Sequence, residues 1–266
     1  MTFHLKLQDE VKLTFLYTVV LLYFIVKVFV FIPNLVAVQE DPFVSGDFFR
    51  SISNFVIYTE KQAYQLIHTY KIENGSIIFI EPSLLWAVRE FQLRNRNFYI
   101  LITHDNDLSV PGNFRHYLDD PYLIRWFGQN TDYRHPKLEG LPIGIANAHW
   151  VHGNQERLLR IGKEKKSTAE IFKGLFVGFM ADTDIRRKPL KDYFCSGYHN
   201  WTYCVKTRTS VEDYLRKIGT MQFVLSPRGN GLDCHRTWES IAMGAIPVVE
   251  TSTLDDMLMT ERVLIV

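Results

Sequence analysis

The stretch Phe223 to Val249, FVLSPRGNGLDCHRTWESIAMGAIPVV, constrains the fold of this 266-residue chain more than any other part. It joins a strand, a glycine-rich loop, an amphipathic helix and a second strand with little between them. Phe223, Val224 and Leu225 read as a buried parallel strand, and Ser226-Pro227 ends it, because the residue before a proline is pushed out of the helical region. Arg228-Gly229-Asn230-Gly231 is then a loop whose backbone can come close to a bound anion. Asp233 is the expected N-cap of the helix. Cys234, Trp238, Ile241, Ala242 and Ala245 recur at helical spacing and predict an apolar stripe against a sheet, whereas Asp233, Arg236 and Glu239 fall three apart on another face. Gly244 is the expected helix stop, and Ile246-Pro247-Val248-Val249 the next strand.

The residue types in this corner suit a nucleotide diphosphate. Backbone N–H groups at a helix N-terminus favour phosphate, and Arg228 and Arg236 add charge-assisted donors. Glu239, one turn in, can accept hydrogen bonds from a ribose diol. The plainer alternative is a surface ion pair between Arg236 and Glu239 at i, i+3. A phosphoryl-transfer enzyme fits less well, since the loop lacks the Gly-Lys-Ser/Thr of a P-loop and no carboxylate pair for magnesium is evident.

At Pro227, Arg228, Gly229, Arg236, Glu239, Gly244, Ile246, Pro247 and Val248 the sequence resembles the exostosin-like glycosyltransferases (glycosyltransferase family 47). Their C-terminal block has a strand leading to Pro-Arg-Gly, then Arg, two residues and Glu, then Gly-x-Ile-Pro-Val. The chain departs from that pattern at Cys234 and His235, where many members have a Ser closer to the Arg, and at Ala245, where many have Cys. The segments WFGQN, HPKLEGLPIGIAN and HWVHGN also look like the N-terminal half of a divergent exostosin-like group. The resemblance implies an α/β protein of two Rossmann-like domains (GT-B type), which the apolar N-terminal segment read below would precede as a transmembrane helix. It implies an inverting transfer of a hexosyl or pentosyl group from a nucleotide-sugar donor, expected to be a UDP-sugar, to a hydroxyl of a glycan or glycoprotein acceptor. The donor would be held by Arg228, Gly229, Asn230, Gly231, Asp233, Arg236 and Glu239. No cofactor or metal is expected beyond the nucleotide sugar as co-substrate. The alternative is a catalytically inactive relative that serves as a binding or partner subunit.

Composition agrees with that picture: with 47% apolar residues the chain can bury one or two cores, and a net charge of +1 argues against a nucleic-acid surface. The nine His and three Cys lack the paired spacing of a zinc site. From Leu13 to Ile32 the chain is apolar apart from Thr14, Thr18 and Lys27, and about 20 residues at a rise of ~1.5 Å cross a hydrocarbon core of ~30 Å. The apolar side chains favour insertion by roughly 5–8 kcal/mol, against at most about 3.5 for Lys27. Lys6 and Lys12 precede the segment, while Glu40, Asp41 and Asp47 follow it. The expected layout is a cytoplasmic tail at 1–12, a signal anchor at 13–35, and a single-pass type II protein, in the Golgi or endoplasmic reticulum lumen of a eukaryotic cell. A cleaved signal peptide with Val36-Ala37-Val38 near its end, or a buried core helix, are the rivals.

Between anchor and donor block, the spacing predicts alternating strands and helices and hence a mainly parallel, doubly wound sheet. A first unit, 40–158, is the expected acceptor domain. Its strands lie at Ser76–Ile80, Phe98–Ile102 and Leu141–Ile145, with a helix from Glu81-Pro82 to about Leu93 and a short element at Tyr122–Phe127. A second unit, 170–266, is the expected donor domain, with Gly153 to Lys173 a linker or a solvated helix. Its elements are a strand from Gly174, helices at Ile185–Phe194 and Val211–Ile218, and strands at Trp201–Lys206 and Val263–Val266. An inverting transfer needs a base for the acceptor hydroxyl, and Asp105, Asp107 and His104 cluster at one strand's carboxyl end. A local Asx-type turn explains the same residues without chemistry, and His149 and His152 are weaker candidates. Asn74-Gly75-Ser76 and Asn200-Trp201-Thr202 are glycosylation acceptor patterns. Cys195 and Cys204 bracket a short polar stretch and can pair in an oxidising compartment or stay as thiols, while Cys234 is expected to be a buried thiol. GT-B enzymes usually continue beyond such a donor block, and only Glu250 to Val266 follows it here, so a product short at its C-terminus is expected.

Overall fold

The computed structural model describes residues 43–164, 171–207, 209–259 and 261–266. The expected tail and membrane segment lie outside them, and among the described residues no helix is long and apolar enough to cross a membrane. Val44–Val266 is one compact unit that holds two five-stranded sheets. Both sheets are wholly parallel.

In the first sheet β1 (Phe55–Ile57), β2 (Ser76–Ile80), β3 (Tyr99–Thr103), β4 (Leu123–Gln129) and β5 (Leu138–Leu141) lie side by side in chain order. Each crossover therefore steps the same way. Right-handed connections then put the intervening helices on one face, so this sheet is singly wound rather than doubly wound as expected. The strand residues Ile78, Ile80, Leu101 and Trp126 share one core with Leu66 of α2 (Glu60–His68) and Val88 and Phe91 of α3 (Trp86–Arg94). A short helix that the sequence does not announce, α1 (Gly46–Ser51), buries Phe48 and Phe49. Its Ser45 cap accepts from the Phe48 amide, and its Arg50 guanidinium lies 5.9 Å from the Phe79 ring centre.

The expected strand Leu141–Ile145 is displaced: the strand occupies Leu138–Leu141 and Pro142 ends it. Beyond it the chain is held by other partners, with Ile145 N donating to Val44 O at 3.0 Å. Gly144 has φ +65, and a Cβ there would lie 2.0 Å from Val44 O, so only glycine fits. The expected linker begins with an eight-residue helix, α4 (Gln155–Gly162), capped by Asn154.

The second sheet has the order β10 (Leu264–Ile265), β9 (Ile246–Val249), β8 (Met221–Leu225), β6 (Phe172–Val177), β7 (Thr202–Cys204). The chain steps outward from β6 to β7, then returns across β6 to β8 and continues the other way. The helices consequently fall on both faces. Leu175, Val177, Leu225 and Phe223 pack with Leu190 and Phe194 of α5 (Arg187–Phe194). Phe176 and Val224 pack with Ile218 and Tyr214 of α6 (Val211–Ile218). The reversal between β6 and β8 is a topological switch point, where open parallel sheets bind ligands beyond the strands' carboxyl ends.

Candidate functional site

Two loops meet at that switch point. One leaves β6 through Phe179, and the other leaves β8 through Ser226-Pro227-Arg228. Arg187, 5% exposed, ties them together: its Nε donates to Arg228 O at 2.7 Å, its Nη2 to Pro227 O at 3.0 Å and its Nη1 to Met180 O at 3.3 Å. Its guanidinium and that of Arg236 lie 5.6 and 5.7 Å from the centre of the buried Phe179 ring. Burial, and after it the charge of Arg236, pulls Arg187 below its ordinary pKa. Two like charges are thus held on one aromatic ring at the carboxyl ends of β6 and β8.

The second helix of this corner, α7 (His235–Ala242), starts later and faces differently from expectation. Its N-cap position is Cys234, which makes no side-chain cap. Asp233 is not the cap, because its carboxylate is used elsewhere. It accepts from Ile143 N at 2.8 Å, from Trp238 Nε1 at 2.7 Å and from Cys234 N at 2.8 Å. The residues that α7 buries are Thr237, Glu239 and Ser240 rather than the apolar stripe, with the Thr237 and Ser226 hydroxyls 3.0 Å apart. Trp238 packs sideways against Leu254 and Leu258, the latter in α8 (Asp255–Leu258).

Arg236 and Glu239 are therefore not a solvated surface pair. Burial drives the Glu239 carboxyl up to about 6, against the opposing pull of Arg236 and the Tyr214 phenol. Burial works against the Arg236 charge too, but Tyr214, Cys234 and Glu239 offset it, and the guanidinium stays above its ordinary pKa. Arg236 keeps Nε and Nη1 buried with no hydrogen-bond partner among the described residues. Arg228 Nε and Thr183 Oγ1 are buried and unpartnered in the same way. Arg228 Nε lies 3.6 Å from Asp184, whose carboxyl is held down to about 2, chiefly by hydrogen bonding to Arg186. A buried donor without an acceptor costs about 1–3 kcal/mol, and more when charged. An anion with several oxygens is the ligand that would satisfy such a set.

The glycines do something other than expected. A Cβ on Gly231 would lie 2.5 Å from Asn130 Nδ2, and one on Gly229 would lie 3.1 Å from Arg187 Nη2. They admit protein side chains into the loop. Gly229 N already donates to Gly231 O, and Asp233 N donates to Asn130 Oδ1 at 2.9 Å. Recognition of an anion would thus fall mainly to guanidiniums. Beside them a cleft of about 320 Å³ runs along the ends of β8 and β9, lined by Arg228, Asp233, Ser226, Thr237, Glu250 and Thr251 among others.

The three base candidates separate. His104, 1% exposed, sits with Nδ1 3.0 Å from Asp105 and Nε2 3.1 Å from Pro142 O. Burial lowers its pKa to about 3, with the charges of His235 and Arg50 acting the same way. Asp105, at φ +70, accepts from Arg50 and, at 2.8 Å, from Asn147 Nδ2, while its own amide donates to Gln129 Oε1 at 3.0 Å. These two residues are committed to holding α1 and the β5 exit against β3. Asp107 alone is exposed, and it accepts from Asn230 Nδ2 of the glycine loop at 3.2 Å. The ends of the two sheets thus touch at Asp107–Asn230, at Asn130–Asp233 and at Gly144, whose carbonyl accepts from His235 Nδ1 at 2.8 Å. Among the described residues no cluster of His, Cys, Asp and Glu could hold a metal ion.

Phe179, Thr183, Asp184, Arg187 and Tyr214 escaped the sequence reading. The polar run Asp182-Thr183-Asp184, a few residues beyond the strand that ends at Val177, was the available signal. Tyr214 had none, since its place on α6 looks like any half-buried aromatic.

Residues 184–261 match the family model of the RXYLT1 C-terminal domain. The matched segment covers under a third of the chain, and it contains Arg187, Tyr214, Arg228, Arg236 and Glu239. The match supports a relation to the exostosin-like glycosyltransferases, without singling out a member, and it points to a glycosyltransferase-type function. No curated protein matches the chain.

Proposed function

We propose that the chain transfers a sugar from a nucleotide-sugar donor, a UDP-sugar, to a hydroxyl of a glycan or glycoprotein, with inversion at the anomeric carbon. The observation that carries this reading is the set of unsatisfied buried donors on Arg236, Arg228 and Thr183 at the switch point of the second sheet. A diphosphate presents acceptor oxygens to such a set, and the guanidiniums would stabilise the negative charge that develops on the leaving group. Glu239 lies beside them to receive a ribose diol, and the adjoining cleft has room for the rest of the donor. The first sheet supplies the acceptor side. Asp107 is the base in this reading, because it is exposed and touches the donor loop through Asn230, whereas the side chains of His104 and Asp105 are buried and engaged. The two sheets then act as donor and acceptor domains, and the protein works as a type II membrane enzyme.

Purified chain incubated with a panel of nucleotide sugars and glycan acceptors, with products read by mass spectrometry, tests the proposal. Transfer from one donor class, reduced at least a hundredfold in Asp107→Asn and in Arg236→Ala, is the expected result. Turnover unaffected by both substitutions would reject the site.

A further inference from the structure

Cys195 and Cys204 are joined in a disulfide, with Cα atoms 5.8 Å apart. Disulfides persist in secreted and lumenal compartments and are rare in the cytosol. The loop they close contains Asn200-Trp201-Thr202, an acceptor pattern for asparagine-linked sugar. Asn200 is exposed and stands in a turn in which Thr202 N donates to His199 O at 3.3 Å. The Thr202 hydroxyl donates to Phe194 O and to His199 O, each at 2.9 Å, which fixes the turn beside the end of α5. The Asn200 carboxamide makes no hydrogen bond to a described residue. A substituent there would break nothing.

The surroundings are unusual for bare surface. Tyr198, two residues before Asn200, is 90% exposed, and Trp201, directly after it, is 43% exposed. Tyr193, 62% exposed, lies tilted against His199 with 5.1 Å between ring centres. Clustered exposed rings mark a surface that something covers. The other acceptor pattern also has an exposed Asn, but its third residue and its Asn side chain are engaged. Ser76 is buried within β2, its hydroxyl accepts from Glu73 N at 3.1 Å, and Asn74 Oδ1 accepts from Phe98 N at 2.8 Å.

We propose that Asn200 carries an asparagine-linked glycan whose first sugar lies over the Tyr198 and Trp201 rings. The step takes an oligosaccharide from a lipid-linked diphosphate donor. A bond forms between Asn200 Nδ2 and the anomeric carbon, the bond from that carbon to the diphosphate oxygen breaks, and the amide proton is released. The inference rests on the disulfide, the exposure and the acceptor pattern, and it stands independently of the proposed transfer reaction.

The test is to express the full chain in a eukaryotic cell line and analyse the peptide containing Asn200 by mass spectrometry, before and after peptide N-glycosidase in heavy-oxygen water. The Cys195–Cys204 bond is read on the same sample. The expected result is an oxidised bond with Asn200 converted to labelled aspartate. Asn200→Gln should remove one glycan-sized step on a gel, and Thr202→Ser should keep it. An unmodified Asn200 beside an oxidised bond would overturn the proposal, and so would free thiols with an unmodified Asn200, which would show that the chain never meets the machinery.

Discussion

The carboxyl ends of the two sheets handle buried charge in opposite ways. At the first sheet every strong charge has a partner: Asp105 accepts from Arg50 and Asn147, and Arg50 also pairs with Asp47. At the second sheet Arg236 and Arg187 share the Phe179 ring, and Arg236 and Arg228 keep donors unsatisfied. The topologies run parallel to this difference. A sheet wound in one direction has no switch point, so its polar strand ends close on each other, whereas the reversed sheet opens a gap between β6 and β8. A cluster whose donors are all satisfied stabilises a fold, whereas the second cluster, although Asp184 and Glu239 lie beside its cations, keeps buried donors unsatisfied and is arranged for something else.

If that contrast holds, substitutions at the two ends should separate stability from activity. The largest effect on stability belongs to Arg50→Ala, which leaves Asp105 buried without its cation. A broken buried pair costs roughly 3–5 kcal/mol, and the partial exposure of Arg50 puts the expected loss at about 3, measured by chemical unfolding. Arg236→Ala should do the reverse, with transfer falling about 10²–10³-fold while the unfolding midpoint barely moves. A large loss of stability there would make Arg236 structural and blur the contrast. Cys195→Ser with Cys204→Ser should lower stability by about 2–3 kcal/mol, as expected for opening a short loop, with little change in turnover.

The smallest effect is a pH dependence. Glu239 in the fold ionises at about 6, above its ordinary 4.5. A carboxyl raised on folding contributes stability that is fully present below pH ~4.5 and is lost as pH rises through about 6. Unfolding free energy measured across that window should therefore decline from this group, and Glu239→Gln should flatten the decline. Asp233, raised to about 6 by burial, adds a component of the same sign that survives in Glu239→Gln.

Much of the second sheet was legible in the chain. The Val211–Ile218 helix and the Ile246–Val249 strand fall where the apolar spacing puts them, and Gly244, at φ +85, ends the intervening helix region as its residue type implies. Local periodicity sufficed because those elements bury one face each. It failed at Leu138–Leu141, where an apolar run continues past the strand because Ile143 and Ile145 are buried in the seam between the sheets. It failed again for α1, whose six residues are too few to show a period. The candidate site was half legible. Arg228, Arg236 and Glu239 announce themselves by type and spacing, but the role of Asp233 depends on Ile143, ninety residues away in the chain. No local pattern encodes a contact of that range. The same holds for Asp105, which looks like a base until Arg50 is placed against it.

The central claim is that the unsatisfied guanidinium set between β6 and β8 receives a diphosphate, and calorimetric titration of the purified full chain with nucleoside diphosphates tests it most directly. The account predicts saturable binding of at least one nucleoside diphosphate that is lost in Arg236→Ala, with the unfolding midpoint of that variant unchanged. Binding of equal strength in wild type and Arg236→Ala, or none to the well-folded wild type, would contradict it.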